Sequence, residues 1–234
     1  MSDVRVVLFD LDDTLVHFDD YWKISLLEAF RRHPATRGID PDRLFEVLWE
    51  KNVLYEQRYH AKEITIWQYW NWRLIDALAV FGREIGEAEA DGFTRFHHSL
   101  SESFIKADPA LAELLSELKR KYAIGLVTNG TAGWQYGKLE AAGLDPLFEP
   151  GSVVISEEVG WEKPAPEIFV EALGRFGAKP EEAVFVGDSW KHDIEGAAAV
   201  GIRSIWFNKR NAAVPEHPLL IGTIADISEL RRYL

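Results

Sequence analysis

Two aspartates separated by one residue follow a short apolar run near the start of the chain. The run Val4–Phe9 has the composition of a buried strand, and Asp10 and Asp12 come directly after it. A carboxylate at the end of a strand is held rigidly and can attack phosphorus in line. A second carboxylate two residues later can protonate a leaving oxygen and afterwards take a proton from water. The pair therefore predicts nucleophilic catalysis by Asp10, with Asp12 as general acid and base.

Polar residues also follow the other apolar runs of the chain. They are Thr128 and Asn129 after the run Ala123–Val127, Lys163 after Ser152–Ile155, and Asp188 and Asp193 after Ala183–Val186. In an open parallel sheet, ligands bind outside the carboxyl ends of the strands, where the loops converge. We therefore expect these side chains to lie in one place.

The types of these side chains favour a metal and a phosphate. Asp10, Asp12 and Asp188 would repel one another unless a cation lay among them, and oxygen ligands with few nitrogens suit Mg²⁺. Thr128, the backbone N–H groups of the turn after it and the following helix N-terminus would form an anion pocket. Lys163 adds a positive charge, so a phosphoryl group between metal and lysine is the predicted occupant.

The elements that must position these residues alternate along the chain. The nearly continuous apolar runs named above, with a further one at Ile202–Phe207, predict strands buried on both faces. Helical patterns between them begin at Asp108-Pro109 and cover Gly133–Ala142, Pro166–Phe176 and His192–Val200. This alternation predicts an α/β fold whose core is a three-layer, Rossmann-like parallel sheet.

The stretch from about residue 15 to residue 105 breaks this alternation. Its pattern predicts four helices, near 20–32, 41–60, 65–81 and 87–104, and no convincing strand. We therefore expect an all-helical cap domain over 15–105, inserted into a catalytic core formed by 1–14 and 106–234. Trp67, Trp70 and Leu74 fall on one helical face, which favours packing within the cap or a dimer contact over a role facing the substrate.

Composition and charge limit the function further. The 234 residues include no cysteine, which excludes disulfides, thiolate metal sites and a cysteine nucleophile. The net charge of −12 argues against a nucleic acid polymer as partner. Val4–Phe9 is too short for a signal sequence or a membrane span. We expect a cytoplasmic protein with no membrane partner, as a monomer or a homodimer.

With these residues in place, the chain resembles the haloacid dehalogenase-like hydrolase superfamily. Four motifs occur in order, namely Asp10-Leu11-Asp12-Asp13-Thr14-Leu15, Thr128-Asn129-Gly130, Val159-Gly160-Trp161-Glu162-Lys163-Pro164, and Gly187-Asp188-Ser189 with Asp193. The helical insert is similar to the cap that part of this family carries after the first strand. Together the four motifs cover the whole predicted core.

The resemblance implies roles for the acidic residues. Asp10 is implied as the nucleophile and a metal ligand, and Asp12 as the acid and base whose backbone carbonyl also binds magnesium. Asp188 is implied as a metal ligand, and Asp193 as a support for the metal or its water.

The resemblance also implies a phosphate site. Thr128 and Lys163 would hold the phosphate, and Asn129 would contact it through its backbone. Ala165 stands where the family frequently has an aspartate, which bears on the orientation of Lys163 and not on its charge.

Asp12 distinguishes among the members of this superfamily. The dehalogenase branch lacks an acid at this place, because halide leaves without a proton. The resemblance thus implies a magnesium-dependent phosphatase that acts on a small phosphate monoester, a nucleotide or a phosphorylated metabolite, through an aspartyl phosphate. A sugar-phosphate mutase stays open as an alternative, because the cap distinguishes the two. A 2-haloacid dehalogenase and a non-enzymatic binding protein are disfavoured by the intact residue set.

Overall fold

The computed structural model describes residues 4–234, apart from the side chain of Asp20. The chain separates into two compact units. One contains the residues up to Phe18 together with Lys106–Leu234, and the other is Asp19–Ile105. In the part of the chain that the structure describes, no helix is both long and apolar enough to cross a membrane.

The unit Asp19–Ile105 is helical. Its helices are α1 (Phe18–Arg32), α2 (Pro41–His60), α3 (Ile66–Val80) and α4 (Glu87–Glu102). The side chain of Asp40 caps α2, whose first residue is Pro41, and Thr65 forms a capping box with Gln68 at the start of α3. These local signals explain why each helix begins where it does.

The tryptophan-bearing face of α3 is mostly interior to this unit. Trp70 and Leu74 are buried, and the ring of Trp70 packs edge-on against His98 at 4.6 Å between centroids. Trp67 is only partly buried and packs against Trp70. For Trp70 and Leu74, packing within the unit is the role that the structure supports.

The other unit is built on a six-stranded parallel sheet in the order β3-β2-β1-β4-β5-β6. The strands are β1 (Val6–Phe9), β2 (Ala123–Thr128), β3 (Val153–Ile155), β4 (Ala183–Gly187), β5 (Arg203–Phe207) and β6 (Leu220–Ile224). The predicted α/β parallel fold is confirmed. From β1 the chain builds outward to β3 on one side and then crosses to β4 on the other, so the strand order reverses beside β1. Ligands bind at such a switch point.

Helices flank this sheet. They are α5 (Pro109–Lys119), α6 (Ala132–Ala141), α7 (Ser156–Val159), α8 (Pro166–Phe176) and α9 (Gly196–Ala199), with a π-helical segment at Trp190–Glu195. The side chain of Asp108 caps α5 by accepting from two backbone N–H groups. The buried face of α8, which includes Ile168 and Phe169, packs in one apolar cluster with Leu8 and Phe185 of the sheet. This packing holds β1 and β4 side by side.

Two elements differ from the sequence prediction. Strand β6 was not predicted, and its residues are only partly buried except for Ile224. The helix predicted from His192 to Val200 is instead the π-helical segment from Trp190 followed by the short α9.

Candidate active site

The loop after β1 is folded tightly by its own backbone. The N–H groups of residues 14–16 all donate to the carbonyl of Leu11, and Asp13 adopts a positive φ of 59°. Asp10 still pairs with β4 through its backbone N–H, whereas Asp12 belongs to the loop. The two aspartates are therefore held by different parts of the structure.

Asp10 is buried, and both of its carboxylate oxygens accept a hydrogen bond. The Nζ of Lys163 lies 2.6 Å from its Oδ1, and the hydroxyl of Thr14 donates to its Oδ2 at 3.1 Å. The same ammonium contacts Asp193 Oδ1 at 2.7 Å. Lys163 thus joins the end of β1 to the π-helical segment after β4. The sequence did not single out Thr14 as a partner of Asp10, although it lies in the first motif.

Three carboxylates approach one another at this edge of the sheet. One oxygen each from Asp10, Asp188 and Asp193 lies within 4.8 Å of the others. Gly187 makes room for this arrangement, because a Cβ at this position would lie 2.5 Å from the carboxylate carbon of Asp193. The indole N–H of Trp206 donates to the backbone carbonyl of Asp188 at 2.7 Å and fixes the strand end.

Burial and mutual repulsion change the acidity of this cluster. Burial, partly offset by Lys163, raises the pKa of Asp10 to about 7. Burial, together with the charges of Asp10 and Asp193, raises the pKa of Asp188 to about 8. Burial alone lowers the pKa of Lys163, but the two carboxylates beside it outweigh burial and raise it. The protein alone thus leaves these carboxylates incompletely neutralised, which is the environment of a cation site.

The raised pKa values predict how the stability of the metal-free protein depends on pH. The contribution of Asp10 and Asp188 is fully present below the ordinary carboxyl pKa of 3.8 and is lost as the pH rises through about 7 and about 8. We expect the melting temperature with chelator to fall between about pH 4 and about pH 8, and magnesium to reduce that fall. Asp188→Asn should flatten the profile, and an unchanged profile in this variant would contradict the assignment.

The carboxylate of Asp12 lies against α6, outside the cluster. Lys138 Nζ lies 2.6 Å and 2.5 Å from its two oxygens, and Gln135 Nε2 donates to Oδ2 at 3.1 Å. The sequence did not point to either residue. The available signal was their spacing of three on the helix that follows the second motif, which places both on one face.

Thr128 and Asn129 end β2 at the same edge. Thr128 is buried, and the side chain of Asn129 holds the backbone of Lys163 through two hydrogen bonds, of 2.9 Å and 2.8 Å. The sequence did not predict that the Asn129 side chain supports the loop that carries Lys163. The N–H of Gly130, expected to face an anion, donates to Ser156 Oγ at 3.0 Å within the protein.

The structure thus places the residues singled out from the sequence in one unit, at the carboxyl edge of its sheet. Asp10, Lys163 and Asp193 are in direct contact, and Asp188 completes the carboxylate cluster. Asn129 joins them through the backbone of Lys163. Their catalytic, metal-binding and phosphate-binding roles stay predictions.

Known proteins resemble this chain along its length. Residues 4–201 match the family model of the haloacid dehalogenase-like hydrolases. The chain is 31% identical to glyceraldehyde 3-phosphate phosphatase of Methanothermobacter thermautotrophicus, over 99% of this chain and 100% of that protein. It is also 31% identical to phosphoserine phosphatase of Thermus thermophilus, over 96% and 98%. Among solved structures, Bacillus subtilis YfnB bound to magnesium superposes with a TM-score of 0.79 at 24% identity, over 98% of each chain.

Proposed function

Because this chain belongs to the haloacid dehalogenase-like hydrolases, as its motifs predicted, we propose that it is a magnesium-dependent phosphatase working through an aspartyl phosphate on Asp10. The division between the two aspartates supports this proposal most strongly. Asp10 is buried against Lys163, while Asp12 is held separately by Lys138. Transfer of a phosphoryl group to a carboxylate needs such a nucleophile and a distinct acid and base. Displacement of halide needs no second acid.

The relatives support a small phosphate monoester as the substrate. Two of them are named for glyceraldehyde 3-phosphate and phosphoserine, and their matches extend over nearly the whole of this chain. We propose a substrate of this class, a phosphorylated metabolite or a nucleotide. The helical unit Asp19–Ile105 is proposed as the cap that selects among such substrates.

The reaction divides into two halves that use the same two aspartates. In the first, an oxygen of Asp10 attacks phosphorus, the bond from phosphorus to the leaving oxygen breaks, and Asp12 gives that oxygen a proton. In the second, Asp12 takes a proton from water, and the water oxygen attacks the phosphorus of the acyl phosphate. The bond between phosphorus and Asp10 then breaks, which releases inorganic phosphate and restores the carboxylate. Lys163 and Thr128 are proposed to hold the phosphate oxygens throughout.

The donors at the site fit Mg²⁺. Asp10 and Asp188 offer carboxylate oxygens, Asp12 offers its backbone carbonyl, and Asp193 stands beside them. The four carboxylates and the two lysine ammonium groups that contact them leave a formal charge of −2, which one divalent cation neutralises. When bound, the ion would stabilise negative charge on the phosphoryl oxygens.

Release of inorganic phosphate from 4-nitrophenyl phosphate tests the proposal. We expect turnover with magnesium and a loss on the order of 10³-fold with chelator, because the ion contributes several kcal/mol to the transition state. Readdition of magnesium should restore turnover. Glyceraldehyde 3-phosphate, phosphoserine and a nucleoside monophosphate then identify the substrate class. Isomerisation of a sugar phosphate without phosphate release would indicate a mutase, and no turnover on any monoester by folded protein would contradict the proposal.

The proposed partner is therefore a phosphorylated small molecule. The cytoplasmic location, the monomeric or homodimeric state and the lack of a nucleic acid partner stay predictions from the sequence. Size-exclusion chromatography coupled to light scattering measures the oligomeric state directly.

A further inference from the structure

A second buried lysine lies at the active site, on the helix that follows the second motif. Lys138 is 1% exposed, and its ammonium is within hydrogen-bond distance of both oxygens of Asp12. The ammonium also lies 4.5 Å from the ring centroid of Trp134. A buried ammonium costs several kcal/mol of desolvation unless it is well paired. The position of Lys138 therefore depends on the Asp12 carboxylate.

Gln135 approaches Asp12 from one turn earlier on α6. Its Nε2 donates to Asp12 Oδ2 at 3.1 Å and to the carbonyl of Asn129 at 2.5 Å. Gln135 is 2% exposed, so its amide is enclosed by protein. Gly130 permits this approach, because a Cβ there would lie 2.5 Å from Gln135 Nε2 and because its φ is +142°.

These contacts fix the rotation of the carboxylate as well as its position. The loop backbone holds Asp12 in place, but its side chain is 31% exposed, so the rotation of the carboxylate depends on these side-chain contacts. One donor on one oxygen would leave the carboxylate free to turn about its last bond. An ammonium on both oxygens and an amide on one of them remove that freedom.

We propose that Lys138 and Gln135, here called the anchor pair, are positioning residues that hold Asp12 where it exchanges protons with the leaving oxygen and with water. The inference rests on the proposed function, because it needs Asp12 to act as acid and base. The anchor pair contacts Asp12, whereas Lys163 contacts Asp10, so the two buried lysines bind different aspartates. Neither member of the anchor pair belongs to the residues implied by the family motifs.

Lys138→Met removes the ammonium and keeps most of the side-chain volume. We expect kcat for an alkyl phosphate to fall on the order of 10²-fold with KM little changed, because proton transfer to a poor leaving group needs a positioned acid. With 4-nitrophenyl phosphate, whose phenolate leaves without a proton, formation of the aspartyl phosphate should be less affected than its hydrolysis. A burst of nitrophenolate close to one per enzyme should then precede slow turnover.

The matched control is Lys119→Met. Lys119 pairs with Glu149 on the surface of the same unit, with 2.6 Å between the ammonium and the carboxylate. Loss of this surface pair should leave the turnover of both substrates unchanged. Equal losses on both substrates without a burst, or a change confined to KM, would overturn the inference. If Lys138→Met fails to fold, Gln135→Met tests the same claim without a change of charge, with an expected loss of about 10-fold on the alkyl phosphate.

A double-mutant cycle separates positioning from an independent role. If Lys138 acts through Asp12, adding Lys138→Met to Asp12→Asn should cost no further activity. An additional loss as large as in the single variant would overturn the inference, because Lys138 would then act without Asp12. Turnover that Lys138→Met leaves intact would overturn the inference alone, whereas a wild-type protein without turnover would overturn the proposed function and the inference with it.

Discussion

Replacement of Asp10 by Asn is expected to lower turnover of 4-nitrophenyl phosphate by at least about 10⁴-fold. An amide in place of the carboxylate cannot form the acyl phosphate, and it also removes one proposed ligand of the metal. Asn matches Asp in shape, so the contact with Thr14 can persist in the variant. The measurement is phosphate release at saturating magnesium, accompanied by thermal unfolding to show that the variant is folded.

Asp91→Asn is the matched control for this variant. Asp91 pairs with Arg95 at 2.9 Å in the helical unit, so the same chemical change there should leave turnover as it is. Acid-quenched wild-type protein should carry a phosphoryl group that hydroxylamine releases, and Asp10→Asn should carry none. Residual turnover above about 1% of wild type would contradict the nucleophilic role, and direct attack by water would replace it.

Lys163→Met is expected to destabilise the metal-free protein by about 3–5 kcal/mol and, with magnesium present, to remove most of the phosphatase turnover. The ammonium is the shared partner of Asp10 and Asp193, and all three side chains are buried. Removal of the cation leaves two carboxylates close together in a desolvated place. Urea unfolding with chelator measures the change in the free energy of unfolding.

Two further variants separate this effect from the general loss of a lysine. Lys119→Met breaks the surface pair with Glu149 and should change stability by less than about 1 kcal/mol. Adding Asp193→Asn to Lys163→Met removes one of the two carboxylates that lost Lys163 as a partner. The double variant should therefore recover part of the lost free energy of unfolding. A loss below about 1 kcal/mol in Lys163→Met would contradict the ion-pair assignment.

Local sequence was sufficient to predict the strands β1 to β5 and the acidic residues that follow them. Strands buried on both faces are continuous apolar runs, so β1 and β4 are visible in the sequence, and Asp10 and Asp188 follow them directly. Lys163 and Asp193 were singled out in the same way, a few residues beyond two of the apolar runs, and the family motifs then implied their roles. Each of these predictions depends on residue type and on position along one element.

The edge strand β6 was missed because its pattern is not that of a buried strand. The residues of Leu220–Ile224 are only partly buried, except for Ile224, and Gly222 interrupts the apolar sequence of the strand. A Cβ at Gly222 would lie 2.4 Å from the ring of Tyr233, so this glycine makes room for a distant side chain. Pairing with β5 defines this strand, and pairing is not a local property.

The sequence by itself determined the parallel core, the family and which strand ends carry carboxylates. Only the tertiary structure decided which partner each of these groups has. Lys138 and Asp12 are 126 residues apart, and the Asn129 amide and the backbone of Lys163 are 34 apart. Hydrophobic periodicity reports which face of an element is buried, whereas these contacts depend on distances that arise only when α6 and the loops pack against the sheet.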